Sequence, residues 1–414
     1  MNEQRQNRII CVPIEQDIYD TLVRDASQFR NHLDSLIKSY PELFPPDISE
    51  GYRLKDIRPS QKLGILIRRI KVNNISYTVR PSFVMPYSTG TVDVVEKALF
   101  LRKFSVPFWG LAHVFGRDPM YWYRIEQSIG RNQLVGTTVH TADDLPKHLI
   151  ADEKHTRVHG SKAYVATTGG MGCVLGACVA EGADETSLTD AYEVFKTEAQ
   201  IVQPDYKPET VCLDAWKAGQ NAFKALFNGV ILITCFLHIY IKLRNRSKKK
   251  FQESFDALSG RLWRCYNAKT KASFSQRVRR LYEWTQNDKS PVPDFMRDKI
   301  RVLYNNLADF SVAYDVPGAH RTSSQLDRMT RTMDRHLFNT VYFHGTFAAA
   351  QSSIRAWALF YNFTPSNPYT VRLHGGWQSP AERLNQFRYH DNWLQNLLIS
   401  ASKKSFSGSP PNPL

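Results

Sequence analysis

Between His148 and Cys235 the chain alternates in a way that few folds accommodate. Three strand-like runs come first, HLIADEKH, AYVATTGG and CVLGACVA, the last two separated by a Gly-rich turn. The turn contains GGMG, a composition that also suits phosphate binding. A tight hairpin needs the same glycines, and no helix follows at once, so it is read as a hairpin. An amphipathic helix, SLTDAYEVFKTEAQIV (187–202), comes next. TVCLDAW then reads as a strand, KAGQNAFKALF as a helix and VILITC as a strand. The order β-β-β-α-β-α-β predicts a mixed sheet covered by helices, in a chain that is α/β in this core and α+β overall.

The last of these strands opens the most apolar passage of the chain, FNGVILITCFLHIYIKLRNRSKKK (227–250). A membrane-spanning helix needs about 20 predominantly apolar residues. Val230 to Ile241 falls well short of that and already contains Thr234, Cys235 and His238. VILIT is β-branched, as a buried strand is. Phe236, Ile239, Tyr240 and Leu243 follow at helical spacing. A strand leading into a helix is the expectation, with an anchor through 227–243 as the weaker rival.

Composition narrows the partners. The formal net charge is +15, an excess that favours a polyanion through phosphate neutralisation and counterion release. A membrane surface is a poorer match, because neither end carries a basic amphipathic helix with a clean apolar face. The N-terminus, MNEQRQNRII, has no apolar signal core, so the expected location is cytoplasmic. Six cysteines, at 11, 173, 178, 212, 235 and 265, form no CxxC pair or metal-ribbon spacing. They read as free, buried thiols.

Upstream of the core, Ile18, Leu22, Phe29, Leu33 and Leu36 fall on one face of a helix over 15–39, which YPELFPPD ends. RRIKVNNISYTVRPSFVMPY (68–87) reads as a hairpin turning at Asn-Asn. It is either a structural sheet or a platform presenting Arg68, Arg69, Lys71 and Arg80 to phosphates. In SVPFWGLAHVFGRDPMYWYRIEQSIGRN (105–132), a short helix, a Gly-Arg-Asp-Pro turn and a second helix follow one another. Asp118 supplies the cap and Pro119 the first helical residue. That is the plan of a helix-turn-helix, with Tyr121, Arg124, Gln127 and Arg131 as its DNA-facing candidates. An ordinary helical hairpin is the competing reading.

Downstream, residues 236 to about 310 read as helical with basic faces, Lys248, Lys249 and Lys250 among them. A further helix opens at TSSQLDRMTRTMDRH (322–336). Apolar strands ending in acids are the notable chemical feature: Asp152 closes HLIAD and Asp214 closes TVCLD. Either aspartate alone is a common turn cap. Two in one sheet, in so basic a chain, suit phosphodiester chemistry, in which converging carboxylates hold two Mg²⁺ ions. Asp327 on helix 322–336 is the natural third acid, and Asp334 is the alternative.

These residues resemble the ribonuclease H-like core of bacterial insertion-sequence transposases of the DDE/D type. The likeness rests on ADEKH, VCLDAW and TSSQLDRM in that order, and on the closing run WALFYNFTPSN…GWQSPAERLN. Cys235-Phe-Leu-His238 is similar to the CxxH motif of Mutator-like transposases. The long gap from Asp214 to Asp327 is similar to that of members with a helical insertion. The resemblance implies Asp152, Asp214 and Asp327 as catalytic metal ligands, with Cys235 and His238 beside them. Mg²⁺ is the implied cofactor, with Mn²⁺ able to substitute. The third acid departs from the pattern, being more often Glu.

The resulting expectation is a DNA transposase, associated with the nucleoid and acting on terminal inverted repeats and target DNA as a homodimer or larger assembly. Its regions are 1–145 for DNA binding, 146–238 with 321–400 for catalysis, 239–320 as helical insertion and 401–414 as a disordered tail. A catalytically inactive DNA-binding derivative is the alternative.

Overall fold

The computed structural model describes residues 8–61, 63–86, 91–247, 250–287 and 290–403. They form an α+β structure with two mixed sheets. The first sheet, in the order β1-β4-β3-β2, is built from β1 (Ile9–Val12), β2 (Arg53–Ser60), β3 (Ile65–Val72) and β4 (Ile75–Pro81). Asn73 and Asn74 turn β3 into β4 with φ of 43° and 65°. Two positive φ values make a hairpin turn that matches strand twist, and asparagine tolerates them.

The helix expected over 15–39 is two helices, α1 (Gln16–Arg24) and α2 (Ala26–Ser39). Asp25 breaks it, because its carboxylate accepts from the backbone N–H groups of Ser27 and Gln28 and so caps α2. The break re-aims the apolar stripe: Tyr19 is buried while Ile18 is 45% exposed. Helices α3 (Val92–Lys103), α4 (Phe108–Phe115), α5 (Pro119–Gly130) and α6 (Leu134–Thr138) then lead to the second sheet.

That sheet comprises β5 (His148–Val158), β6 (Ser161–Gly170), β7 (Cys173–Ala180), β8 (Thr210–Leu213) and β9 (Ile231–Thr234), in the order β7-β6-β5-β8-β9. β5, β6 and β7 run antiparallel, whereas β8 and β9 lie parallel to β5. Helices α7 (Glu185–Val202) and α8 (Lys217–Leu226) supply the crossovers and seal one face around Tyr192, Phe195 and Phe223. β9 feeds α9 (Phe236–Ser247). The apolar passage is thus split between strand and helix, and no helix among the described residues is long and apolar enough to cross a membrane.

Helices α9, α10 (Gln252–Tyr266), α11 (Lys271–Gln286), α12 (Asp294–Asn305) and α13 (Leu307–Ser311) enclose a core of their own, including Phe236, Leu258, Val278 and Leu303. The chain returns through α14 (Ser324–Asn339), α15 (Phe347–Phe363), α16 (Pro368–Leu373), α17 (Pro380–Asn385) and α18 (Trp393–Ser402). α18 takes in Ala401 and Ser402, and Lys403 is buried, so residues 401–403 belong to the folded body and not to the tail expected from 401. Residues 404–414 lie outside the described residues, as do Lys248 and Lys249.

α15 is largely buried. It also closes the edge of the sheet at β7. Gln351 accepts from Val179 N at 2.7 Å and donates to Ala177 O at 3.1 Å. Asn362 accepts from Val174 N at 2.9 Å and donates to Val174 O at 2.7 Å. Two side-chain amides therefore do for β7 what a neighbouring strand would do, and an open edge is avoided. Asn362→Leu leaves a buried N–H and C=O of Val174 without partners, so it should destabilise the protein by about 2–4 kcal/mol. Urea denaturation measures this, and a loss under about 0.5 kcal/mol would show that the amide does not carry the edge.

Candidate active site

Register assembles the site. β5 lies beside β8 with Ile150 opposite Cys212. Two residues further along each chain, on the same face, come Asp152 and Asp214. Asp152 does not close its strand: β5 continues to Val158, with Asp152 opposite Thr167 of β6. What ends at Ile150 is the pairing with β8. The carboxylate therefore projects where the sheet loses its parallel neighbour.

Two helices complete the group. His238 and Lys242 lie one turn apart on α9. His238 Nε2 stands 4.0 Å from Asp152 Oδ1. Lys242 Nζ contacts both oxygens of Asp214, at 2.9 and 3.2 Å. Asp327 enters from the first turn of α14. Cys235 explains why these helices face each other. Its sulfur accepts from Ser323 N at 3.1 Å and lies 3.2 Å from Ser323 Oγ. Phe236 N donates to Arg321 O at 3.2 Å. The start of α9 is thereby bound to the entry of α14, placing His238 and Asp327 each about one turn from the junction.

The electrostatics are those of crowded carboxylates. Burial pushes Asp152 up to about 6; His238 opposes the rise, and Asp327 and Asp214 add to it. Burial also raises Asp327, against the pull of His238. Asp214 is held below the usual range although burial acts the other way, because His238 and the Lys242 ammonium favour its charge. His238 is raised to about 9: burial opposes this, and the Cys235 sulfur, Asp214 and Asp152 outweigh it. Its Nδ1 has no hydrogen-bond partner of ordinary geometry among the described residues, and neither does Asp327 Oδ2.

The donor chemistry fits a hard divalent cation, since carboxylate oxygens predominate and one buried oxygen is unpaired. The side chains are not drawn together in this arrangement. Among the described residues no three His, Cys, Asp or Glu side chains are grouped to hold a metal, and Lys242 supplies the positive charge at Asp214.

Asp334 lies apart from this group. It pairs with Lys154 at 2.7 Å, both side chains part-exposed, and not with the arginines and histidine beside it in sequence. His336 is buried and 3.2 Å from Ser353 Oγ. Glu153, adjacent to Asp152, points to the opposite face, where Tyr192 donates to it at 2.8 Å. Burial raises it to about 7, with Tyr192 opposing. Glu153 and Lys242 were not among the sequence candidates. Lys242 was accessible through its four-residue spacing from His238; Glu153 carried no distinguishing signal.

The helix-turn-helix candidates divide. Asp118 caps α5 and Pro119 opens it, as expected. Arg124 and Arg131 are exposed. Gln127 is turned inward and donates to Ala349 O at 3.3 Å. Tyr121 is half-buried, edge-on to Trp122 with Arg117 over its ring. The inner face of α5 lies on α15: a β-carbon on Gly130 would run into the Ser352 carbonyl. The hairpin platform is largely structural. Arg68 is buried on Val23 O, Arg80 is buried on Val84 O, and Arg69 pairs with Asp56. Lys71 is exposed.

The chain matches no protein-family model. It matches no curated protein either.

The raised Asp152 sets a pH dependence. Its folded pKa of about 6 exceeds the reference 3.8, so the protonated form is favoured by folding. That contribution is complete below pH 3.8 and is lost as pH rises through 6. Asp152→Asn removes the penalty of the ionised form. It should therefore stabilise the metal-free protein at pH 7, by on the order of 3 kcal/mol, with little gain at pH 4. Urea denaturation at both pH values tests this, and a pH-independent difference would contradict it.

Proposed function

We propose that the protein is a DNA transposase of the ribonuclease H-like, DDE/D type, cleaving DNA ends and joining them to target phosphodiesters. The observation that carries the reading is the placement of three aspartates on one face of a sheet ordered third-second-first-fourth-fifth. The first strand carries Asp152, Asp214 directly follows the fourth, and a helix beyond a long helical excursion brings Asp327. The net charge of +15 accords with a polyanionic substrate.

Asp152, Asp214 and Asp327 would hold Mg²⁺ or Mn²⁺, which when bound supplies charge neutralisation at the scissile phosphate and activates the attacking oxygen. The chain's own residues do the rest. His238, protonated at neutral pH, holds its proton at Nε2 facing Asp152 and keeps the carboxylate cluster charge-balanced. Lys242 does the same at Asp214. Cys235 positions both helices through Ser323. Arg124, Arg131 and the basic faces of α9–α13, with Lys250 at their margin, would bind the backbone of element and target DNA. Orientation and charge complementarity account for most of the acceleration, because the DNA supplies nucleophile and leaving group. Two element ends held together imply a dimer or larger assembly.

One observation favours the alternative of an inactive DNA-binding derivative: the ion pair of Lys242 with Asp214. One experiment separates the two. Asp327→Asn should abolish Mg²⁺-dependent cleavage and strand transfer on DNA carrying the element's ends while binding persists. Asp327→Glu should retain part of the activity. Asp334→Asn should be near wild type, since part-exposed pairs contribute at most about 1 kcal/mol. Binding without cleavage in the wild type would establish the derivative.

A further inference from the structure

Residues 366–378 leave the body of the protein and return to it at the same point. Ser366 N donates to Gln378 O at 2.8 Å, closing the excursion. Arg383 clasps it from below, donating to Ser366 Oγ at 3.1 Å and to Trp377 O at 3.4 Å. Gln378 N is held by Glu382 at 2.9 Å, and Lys103 donates to Pro365 O at 2.6 Å. Inside the excursion Asn367 caps α16 by accepting from Thr370 N at 2.9 Å. The segment is therefore built and held, and it cannot fold back to cover its own apolar side chains without breaking these bonds.

What it holds out is unusual. Tyr369 and Leu373 are 69% and 67% exposed. They stand four residues apart on α16 and so share one face. Arg372 and His374 beside them are exposed as well. No Asp or Glu occurs between Asp334 and Glu382, so the whole stretch from the middle of α14 through the excursion is without negative side chains. At its base, Arg383 and Arg328 both lie close enough to the Tyr361 hydroxyl to act on its charge. Arg328 is exposed and follows Asp327 directly. The excursion thus carries no acid of its own, and it holds an aromatic–aliphatic pair above two arginines, one of them next in sequence to Asp327.

We infer that the excursion is a nucleic-acid contact in which Tyr369 and Leu373 stack against unpaired bases of the DNA, with Arg372 and Arg328 on the flanking phosphates. The inference rests on the nucleic-acid reading above. Charge complementarity selects DNA over a protein partner, because the excursion carries Arg372 and His374 and no acid, with Arg383 and Arg328 at its base, which suits phosphate. The exposed pair selects unpaired bases. A ring and a branched aliphatic chain read the hydrogen-bonding edges of paired bases poorly, but they match the faces of bases freed from the stack. DNA that is being cleaved and joined presents such bases.

The test uses the full-length protein and two labelled duplexes of equal length, identical except that four central bases of one strand are mismatched in the second to form a bubble. Affinities are read by fluorescence anisotropy at two salt concentrations. The wild type should bind the bubble about tenfold more tightly, the size expected of one well-stacked base. Tyr369→Ala combined with Leu373→Ala should reduce that ratio below twofold. Both side chains are exposed, so the variant should melt with the wild type. Equal binding of the two duplexes by the wild type, or an unchanged ratio in the variant, overturns the inference while leaving DNA binding intact. Failure to bind either duplex at low salt overturns the nucleic-acid reading itself, and the excursion then serves another partner.

Discussion

The alignment of β5 with β8 is the constraint on which the site depends. Ile150 opposite Cys212 puts both side chains into the apolar layer beneath α14, and alternation sends Asp152 to the same face two residues later. A slip of one residue would exchange Asp152 for Glu153 and carry the acid into the layer sealed by α7 and α8. Tyr192 and Gly219 are shaped around Glu153 there, so the register is specified from both sides of the sheet. Burying carboxylates this way is unfavourable. The imidazolium of His238 and the ammonium of Lys242 offset part of that cost.

The N-terminal region is not a detachable module. One apolar core runs from Ile10, Phe29 and Trp122 through Met329 and Met333 to Ile354 and Leu397. The buried pair of Arg102 with Glu126, 2.7 Å apart, lies within it, and Ser353 of α15 reaches Glu126 at 3.4 Å. A fragment ending near residue 145 would expose the inner face of α5 and take Ser353 away from this carboxylate. The helices from α9 to α13 differ, because their apolar side chains gather in a separate core. Opening of that layer need not disturb the sheet.

Much of this was legible in the chain itself. The strand and helix order of the core follows from short-range periodicity, as do the Asn-Asn turn and the Asp-Pro entry to α5. What was hidden depends on contacts distant in sequence. β1 pairs in parallel with β4, and its partner cannot be read locally. The hairpin arginines look like a basic platform until Val23 O, Val84 O and Asp56 are found to take them. Asp25 looks like one helical residue among many, but its carboxylate competes for backbone donors and ends the helix. Asp334 has three basic residues within three positions, yet its ion-pair partner is Lys154 on β5. Asp214 and Asp327 sit just past a strand and in the first turn of a helix, where sequence pattern and site geometry coincide, whereas Asp152 lies inside β5 and is set apart only by the end of that strand's pairing with β8.

The amides of α15 tie two different molecular rulers together. Between Gln351 and Asn362 the helix rises roughly 16 Å, and the β7 residues they serve, Val179 and Val174, are separated by roughly the same distance along a strand. The match holds only for this number of intervening helical residues. A single inserted or deleted residue would rotate Asn362 by about 100° and carry it off the strand. Sequence drift along this stretch is therefore free to exchange side chains but not to change length, and homologues should show α15 ungapped between these two positions even where little else aligns.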